Sequence, residues 1–249
     1  MKQELIEISD VWKKYDMGKA GALVVLKEID LEIYDGEFVA IIGPSGSGKS
    51  TMMNIVGALD VPSWGTVKLK GRDISKMSES ELATLRGQTI GFIFQQFNLL
   101  PTLSALKNVM LPMEMIDVEP GVAEKRARKL LVMLGLGDRM HHKPNELSGG
   151  QQQRVAIARS LANDAPIILA DEPTGNLDSK TGKFIMKFLS EVSRKEGKTI
   201  ILITHDTELV SYADKVVYIR DGKIEKIVKN RRSKNMGKIN FLKGGRKNG

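Results

Sequence analysis

The sequence predicts an α/β fold with a mixed, largely parallel β-sheet, an N-terminal antiparallel β subdomain and a helical insert. Three apolar runs lack polar alternation, which indicates strands buried on both faces of a parallel sheet: FVAIIG (38–43), PIILAD (166–171) and TIILITH (199–205). Three other stretches, ELIEIS, VVLKEIDLEIY and TVKLKG, alternate apolar and polar residues, as antiparallel strands with one solvated face do. Helical patterning, interrupted by prolines, fills residues 96–162 and predicts the insert.

The chain length fits one domain with a subdomain, because 249 residues can bury a sizeable core. We expect residues 1–95 and 163–228 to form the sheet-containing core with its antiparallel subdomain. Residues 96–162 form the predicted helical subdomain, and residues 229–249 form a basic tail.

The positive charge of the chain is concentrated in that tail. Residues 229–249 contain eight lysines and arginines and no acidic residue, which equals the net charge of +8. The rest of the chain is therefore neutral. The composition predicts a solvated tail, with weak contact to anionic lipid or binding of a partner as alternatives.

Two absences restrict the class of protein. The chain contains no cysteine, which excludes disulfides, thiolate metal sites and cysteine nucleophiles and fits a reducing cytoplasm. No apolar run approaches the roughly 18 residues that a membrane-spanning helix needs. We therefore expect a chain that does not cross a membrane by itself.

A phosphate-binding motif follows the first buried strand. GPSGSGKST fits G-x-x-x-x-G-K-[ST] between a strand and a helix, the context that the motif requires. Its backbone N–H groups would surround the phosphates, Lys49 would reach the β- and γ-phosphates, and Ser50 would bind Mg²⁺. The predicted nucleotide-binding residues of this loop are Gly43, Pro44, Ser45, Gly46, Ser47, Gly48, Lys49, Ser50 and Thr51.

Two acidic residues follow the second buried strand, and a histidine follows the third. Asp171 is predicted to hold the metal shell, and Glu172 to orient or deprotonate the attacking water. His205 ends the third strand, where it could contact the γ-phosphate; a structural hydrogen bond is the alternative. Adjacent His141 and His142 lack further ligands at metal spacing and are interpreted as solvated.

Gln95 and Tyr15 are two further candidates. Gln95 lies where a strand gives way to the helical insert, so its amide could sense Mg²⁺ or water together with the position of the insert. Tyr15, placed after the first strand, could stack on adenine, with Trp12 as a competing candidate and core packing as the alternative for both.

A second anion site is predicted at the start of the helix in NELSGGQQQRVAIAR. Ser148 is a helix N-cap followed by Gly149 and Gly150, which are costly in a helix but leave its first N–H groups unshielded. The positive end of the helix dipole favours an anion there. The residues themselves do not identify the anion or the molecule that carries it.

Together these motifs resemble those of the nucleotide-binding subunit of an ATP-binding cassette (ABC) transporter, over nearly all of residues 1–228. In family terms, residues 43–51 resemble the Walker A motif, Gln95 the Q-loop, residues 147–151 the signature motif and residues 167–171 the Walker B strand. Glu172 resembles the catalytic glutamate, residues 175–178 the D-loop that ends in Asp178, His205 the switch histidine and Tyr15 the adenine-stacking aromatic. The finer resemblance is to the macrolide-export and lipoprotein-release ATPases.

The resemblance implies a P-loop ATPase that uses ATP and Mg²⁺, with Ser50, Gln95 and Asp171 around the metal. It implies a head-to-tail dimer with a second copy of the chain, in which Ser148, Gly149, Gly150 and Gln151 bind the γ-phosphate held by the partner. The dimer would drive separate membrane permease subunits from the cytoplasmic face of the membrane, for export or extraction. The alternatives are a mechanical cassette of the cell-division type and a nucleic-acid-associated ATPase, although no specific nucleic acid is expected.

An apolar segment of the insert is the predicted docking surface for the permease. It comprises residues 97–103, with Met110, Leu111 and Met113 beyond them. The alternative is that these side chains form the core of the insert, since Met and Leu at helical spacing usually indicate packing.

Overall fold

The computed structural model describes residues 4–18 and 21–230. Within these ranges it contains ten strands and six α-helices. The strands are β1 (Glu4–Asp16), β2 (Ala22–Tyr34), β3 (Phe38–Ile42), β4 (Trp64–Leu69), β5 (Arg72–Asp73), β6 (Ile90–Ile93), β7 (Ile167–Asp171), β8 (Thr199–Thr204), β9 (Lys215–Arg220) and β10 (Lys223–Lys229). The helices are α1 (Lys49–Val56), α2 (Glu79–Thr89), α3 (Ala105–Glu114), α4 (Pro120–Met133), α5 (Gly149–Ser160) and α6 (Ser179–Glu196).

The strands form two sheets. A four-stranded antiparallel sheet has the order β2-β1-β4-β5, and a six-stranded sheet has the order β10-β9-β3-β8-β7-β6. In the larger sheet all neighbours are parallel except the β9–β10 pair. This architecture confirms the predicted fold class.

The larger sheet is covered on both faces, which explains why its strands are uniformly apolar. In β3, Phe38, Ala40 and Ile42 pack into a core shared with α3, α4, α5 and α6. The alternate residues Val39 and Ile41 face a second core that includes α1 and the antiparallel sheet. With two apolar layers to satisfy, the strand has no position for a polar residue.

Residues 96–162 contain helices α3, α4 and α5 and no β-strand. Each helix begins at a side-chain cap, because Ser104, Glu119 and Ser148 accept hydrogen bonds from N–H groups in the first turn. The helices pack on one another through the apolar residues that gave the helical pattern. The boundaries of the helical subdomain remain a prediction.

Two sequence expectations are wrong. Tyr15 does not follow the first strand but lies inside β1, which continues to Asp16 because it pairs with β2 as far as Ala22. Met110 and Met113 do not form a surface, because they are 2% and 1% exposed and belong to the core. The periodic face of α3 is therefore used for packing inside the insert.

The chain is described only up to Asn230, so nearly all of the predicted tail lies outside the described residues. Its first residue, Lys229, ends β10. Among the described residues, none of the helices has the length and hydropathy required to span a membrane.

Candidate functional site

The predicted catalytic residues meet at one edge of the larger sheet. Strands β6, β7, β8 and β3 are parallel neighbours, so their carboxyl ends lie side by side. The register places Asp171 opposite Ile203 and Ile42 opposite Thr204, within one residue of the three strand ends. The phosphate-binding motif, Glu172 and His205 therefore leave the sheet at the same edge, where ligands bind in open α/β sheets.

The phosphate-binding loop needs glycine at two positions for different reasons. Gly43 lies against β9, where a Cβ atom would collide with the Ile219 carbonyl and approach Ser47 Oγ to 2.7 Å. Gly48 caps α1 with a φ of 102°, a backbone conformation that L-residues rarely adopt. The loop thus curls tightly into the N-terminus of α1, where its N–H groups and the helix dipole favour an anion.

The polar side chains of this loop fit a bound phosphate. Ser47 is 2% exposed, and its hydroxyl has no hydrogen-bond partner, which is unusual for a buried polar group. Lys49 Nζ donates to the carbonyl oxygens of Gly43 (2.8 Å) and Pro44 (2.7 Å), so it folds back over the loop. A phosphate above the loop would be a better acceptor for Lys49 than these carbonyls.

Asp171 ends β7 half-buried and beside a second carboxylate. Burial raises the pKa of Asp171 above its ordinary value, the charge of Glu172 raises it further, and Lys49 acts in the opposite direction. Lys49 therefore offsets only part of the effect of burial and of Glu172 on the pKa of Asp171. Additional positive charge near the carboxylate would favour its ionised form. A metal cation would supply that charge.

Glu172 is held by the end of β8. Its Oε1 accepts hydrogen bonds from the His205 backbone N–H (2.9 Å) and lies 2.6 Å from His205 Nδ1, and its Oε2 accepts from Thr204 Oγ1 (3.0 Å). Its backbone has a φ of 43°, in the left-handed region, which is uncommon for a non-glycine residue. The structure thus brings Glu172 and His205 into direct contact.

Gln95 lies two residues beyond β6 and is exposed. Its backbone carbonyl oxygen accepts a hydrogen bond from Asn176 Nδ2 (3.1 Å). Its side-chain Nε2 lies 3.4 Å from where a Cβ atom on Gly175 would be. The segment around Gln95 is therefore joined to the loop that follows Glu172.

The helix start that the sequence predicts as a second anion site is capped by a reciprocal pair of hydrogen bonds. Ser148 Oγ accepts a hydrogen bond from the Gln151 N–H (3.3 Å), and Gln151 Oε1 accepts from the Ser148 N–H (2.8 Å). Ser148 and Gly149 are exposed. The atoms that a Cβ at Gly149 or Gly150 would meet belong to Phe97 and Thr181, not to the phosphate-binding loop.

Asp178 is the N-cap of a different helix, α6, whose residue Thr181 lies against Gly150 at the start of α5. It caps α6 by accepting hydrogen bonds from the N–H groups of Lys180 and Thr181 and from Thr181 Oγ1 (2.6 Å). The methyl group of Thr181 would be 3.0 Å from a Cβ on Gly150. The packing of α6 is thus a second reason for glycine at position 150, which the sequence alone did not show.

The structure separates the two aromatic candidates. Tyr15 is half-buried, and its hydroxyl donates a hydrogen bond to Asp60 Oδ2 (2.9 Å) and interacts with the side chain of Thr51 in the phosphate-binding motif. Trp12 lies opposite Trp64 in the antiparallel sheet, and its indole N–H donates to Asp10. Tyr15 is therefore the aromatic residue joined to the phosphate-binding loop.

The sequence predicts solvated His141 and His142; in the structure His141 is exposed and His142 is half-buried. His142 Nε2 lies 3.1 Å from Arg139 Nη1, within a loop of the insert. Across residues 4–18 and 21–230, no group of three or more His, Cys, Asp or Glu residues could hold a metal ion.

Sequence reasoning missed two residues that hold the loop containing Glu172. Thr204 Oγ1 donates to Glu172 and accepts from the Asp206 N–H. Gln153 is 1% exposed, and its side-chain amide donates to the Pro173 carbonyl (2.7 Å), which ties α5 to the residue after Glu172. The position of Thr204 directly before His205 was a usable signal, but nothing in the sequence linked Gln153 to Pro173.

One stability prediction follows from the environment of Asp171. Because its pKa is raised in the fold, ionisation of this carboxyl opposes folding, and that cost is complete only above the folded-state pKa. Asp171→Asn should therefore raise the Tm of the nucleotide-free protein at pH 7.5. The carboxylate is partly solvated, which limits the gain to below ~1 kcal/mol, a shift of at most about 4 °C in a chain of this size.

Differential scanning calorimetry at several pH values tests this sign. The Tm difference between Asp171→Asn and the wild type should shrink as the pH falls toward about 4, the ordinary pKa of aspartate. A lower Tm for the variant at pH 7.5, or a difference that grows on acidification, would contradict the electrostatic account.

A phosphate-binding loop between a buried strand and a helix, beside an acidic strand end, defines a P-loop nucleoside triphosphatase. Residues 26–175 match the ABC transporter family. The chain belongs to this family, and it is the ATP-binding motor subunit that hydrolyses ATP to ADP and phosphate.

Two similar proteins align with about nine-tenths of this chain. An uncharacterized ABC transporter ATP-binding protein of Methanocaldococcus jannaschii, MJ1508, is 55% identical over 224 residues, covering 90% of this chain and 99% of its own. The macrolide export ATP-binding/permease protein MacB of Bdellovibrio bacteriovorus is 53% identical over 221 residues, which are 89% of this chain and 33% of MacB. This chain thus corresponds to one third of that relative.

A solved structure is similar at 46% identity with a TM-score of 0.85, covering 91% of this chain and 99% of the other. It is the ATP-binding cassette MJ0796 of Methanocaldococcus jannaschii, described as a dimer in a post-hydrolysis state bound to ADP and Pi.

Proposed function

We propose that two copies of this chain form a head-to-tail dimer in which each ATP is bound by the phosphate-binding loop of one copy and the α5 N-terminus of the other. The observation that carries the proposal is the α5 helix start. It is capped, exposed and free of side chains at Gly149 and Gly150, and those glycines lie against Phe97 and Thr181 rather than the phosphate-binding loop. The dimeric state of the similar cassette MJ0796 supports it.

The nucleotide would be held first by residues of one copy. The N–H groups of residues 43–51 would bind the phosphates, and Lys49 would exchange its two carbonyl acceptors for phosphate oxygens. Ser50, Asp171 and Gln95 would hold Mg²⁺, which when bound neutralises charge on the phosphates. The raised pKa of Asp171 and the unpartnered hydroxyl of Ser47 support this assignment.

Glu172 would orient and deprotonate the attacking water. In this structure both of its oxygens accept hydrogen bonds from the end of β8, through Thr204 and His205. The imidazole side chain of His205 is 73% exposed, so it can turn away from Glu172 and contact the γ-phosphate. That movement would leave Glu172 Oε1 available to accept a proton from the water.

The second copy would complete the site. Gly149 and Gly150 would present their N–H groups and Ser148 its hydroxyl to the γ-phosphate, with Asp178 of the adjacent α6 cap beside them. Gln151 would hold Ser148 in place through the reciprocal hydrogen bonds of the cap. Because the γ-phosphate would be shared by two copies, its hydrolysis followed by release of the phosphate would remove the contact that holds them together. ATP binding and hydrolysis would then alternate between dimer and separated copies.

Sedimentation velocity tests this cycle with the unmodified protein. We expect a monomer in ADP and a dimer in a non-hydrolysable ATP analogue with Mg²⁺. A monomer in both nucleotides at micromolar protein would overturn the proposed dimer.

We propose that the dimer drives permease subunits from the cytoplasmic face of the membrane, for export as the name of MacB suggests. A groove of about 740 Å³ beside the Gln95 segment is the surface that we assign to the permease. It lies between α2, β6 and the end of α3, next to the segment predicted as the docking surface. The larger apolar residues in its lining are Leu59, Ile90, Phe92, Phe94, Pro112, Met115 and Ile116.

A charged side chain introduced into this groove should prevent binding of the membrane subunits. Met115 is 77% exposed in the groove, so Met115→Glu should leave the fold intact and prevent co-purification with the membrane subunits of the same transporter. Val132→Glu is the matched control, because Val132 is 50% exposed on α4 and is not in the groove lining. Equal recovery of the membrane subunits by both variants would refute the assigned surface.

A further inference from the structure

A largely buried ion pair between Lys13 and Asp60 contacts Tyr15. Lys13 is on the same strand two residues earlier, and both side chains contact Asp60. Its ammonium donates hydrogen bonds to Asp60 Oδ1 (2.5 Å) and to the Val61 carbonyl (2.8 Å), and the Lys13 side chain is only 10% exposed. Charged side chains are almost never buried in this way unless they are paired.

Asp60 joins this lysine to the tyrosine. One carboxylate oxygen accepts from Lys13 Nζ and the Val61 N–H, and the other accepts from the Tyr15 hydroxyl at 2.9 Å. Burial alone would raise the pKa of Asp60, but the hydrogen bonds from Lys13, Tyr15 and Val61 hold that pKa below its ordinary value. The carboxylate is therefore ionised and is a strong acceptor for the phenol.

The Tyr15 hydroxyl is also linked to α1, the helix that follows the phosphate-binding loop. The Asp60 N–H donates to the carbonyl of Asn54 in α1 (3.1 Å), and Tyr15 interacts with the Thr51 side chain one turn earlier on the same helix. Both contacts of the Tyr15 hydroxyl therefore lead to α1, which begins at Lys49. The orientation of the ring is fixed relative to the loop that would hold the phosphates.

The ammonium of Lys13 also lies over the Tyr15 ring, 4.9 Å from its centroid. This distance is within the range of a cation–π contact. It occupies one face of the ring, so a planar group that stacks on Tyr15 would use the opposite face.

We propose that Asp60, together with Lys13, is a positioning unit for base recognition, which orients the Tyr15 ring so that the face opposite Lys13 stacks on the nucleotide base at a fixed distance from the phosphate-binding loop. The inference rests on the ATP binding proposed above and on the sequence prediction that Tyr15 stacks on adenine. Asp60 and Lys13 touch neither the base nor the phosphates. They act through the tyrosine.

The test compares ADP with inorganic pyrophosphate, because ADP has a base and pyrophosphate does not, and neither requires the dimer. Tyr15→Phe keeps the ring and removes the hydroxyl, so it releases the ring from Asp60 without breaking the ion pair. We expect Tyr15→Phe and Asp60→Asn each to weaken ADP binding about three- to tenfold by isothermal titration calorimetry, a partial loss of stacking. Pyrophosphate binding should be unchanged, and the double variant should be no worse than either single one.

Two controls separate the possible failures. Tyr15→Ala removes the ring and should weaken ADP binding more than Tyr15→Phe does. Glu7→Gln breaks a more exposed ion pair with Lys68 in the same antiparallel sheet and should leave both affinities unchanged. Because Asp60→Asn leaves Lys13 buried without its partner, its Tm is measured, and Tyr15→Phe decides the result if Asp60→Asn does not fold.

Each other outcome is informative. Wild-type ADP binding by Tyr15→Phe, with weakened binding by Tyr15→Ala, would overturn the positioning role and keep the tyrosine as the base contact. Wild-type binding by Tyr15→Ala would overturn the base contact itself, and with it the inference. Equal weakening of ADP and pyrophosphate would also overturn the inference, because it would indicate distortion of the phosphate-binding loop.

Discussion

Replacing Glu172 with glutamine should reduce ATP turnover by about 10²- to 10⁴-fold, the usual contribution of a general base. The amide has nearly the same shape as the carboxylate and can still accept a hydrogen bond from the His205 N–H. The loop should therefore keep its conformation, and ATP should still bind. Because the γ-phosphate is no longer removed, the variant should accumulate as a dimer in Mg²⁺–ATP.

Steady-state phosphate release and sedimentation in ATP measure the two parts of this prediction. Glu124→Gln, which changes an exposed carboxylate on α4, serves as the control and should behave as the wild type. Turnover of Glu172→Gln near the wild-type rate would exclude Glu172 as the general base. Lost turnover together with lost ATP binding would indicate a damaged site instead.

Replacing Ser148 with arginine should abolish ATP-driven dimerisation and reduce turnover to background. The arginine would fill the exposed start of α5, where we propose that the γ-phosphate of the partner binds, and would remove the N-cap of that helix. Loss of a cap costs about 0.5–2 kcal/mol, which a chain of this size tolerates. Binding of ATP by one copy should be unchanged, since the phosphate-binding loop is not altered.

Ser78→Arg is the matched control for this variant. Ser78 caps α2 through the same reciprocal pair of hydrogen bonds, with Glu81 in the place of Gln151. It should lower the Tm as much as Ser148→Arg does and leave dimerisation intact. If both variants dimerise in ATP, or if both fail, the α5 helix start has no specific role between copies.

The sequence predicted the catalytic edge of the sheet because that prediction depends on local signals. The runs 38–43, 166–171 and 199–205 are apolar throughout, and only strands covered on both faces tolerate that pattern. Once these strands are parallel neighbours, the positions of Lys49, Glu172 and His205 at one edge follow from topology. The direct contact between Glu172 and His205 did not follow, because it depends on the register and on a left-handed residue at position 172.

The sequence does not assign a role to a side chain that fits two different environments. Met110 and Met113 have the composition of a docking surface and of a core, and only the packing of α3 against its neighbours assigns them to the core. The sequence signal for the end of β1 is weak, so the sequence places Tyr15 after the strand. The contact of Tyr15 with Asp60 spans 45 positions of the chain. Gly150 is explained partly by Thr181 on α6, which no local pattern reveals.

Mixing two inactive variants tests most directly the central claim that each ATP site is built from two copies. Lys49→Ala lacks the phosphate-binding lysine and keeps its α5 helix start, whereas Ser148→Arg has the opposite defect. In a head-to-tail pair of the two, one ATP site combines an intact loop with an intact helix start. The account predicts that the mixture hydrolyses ATP although neither variant does so alone, whereas a mixture as inactive as its components would contradict it.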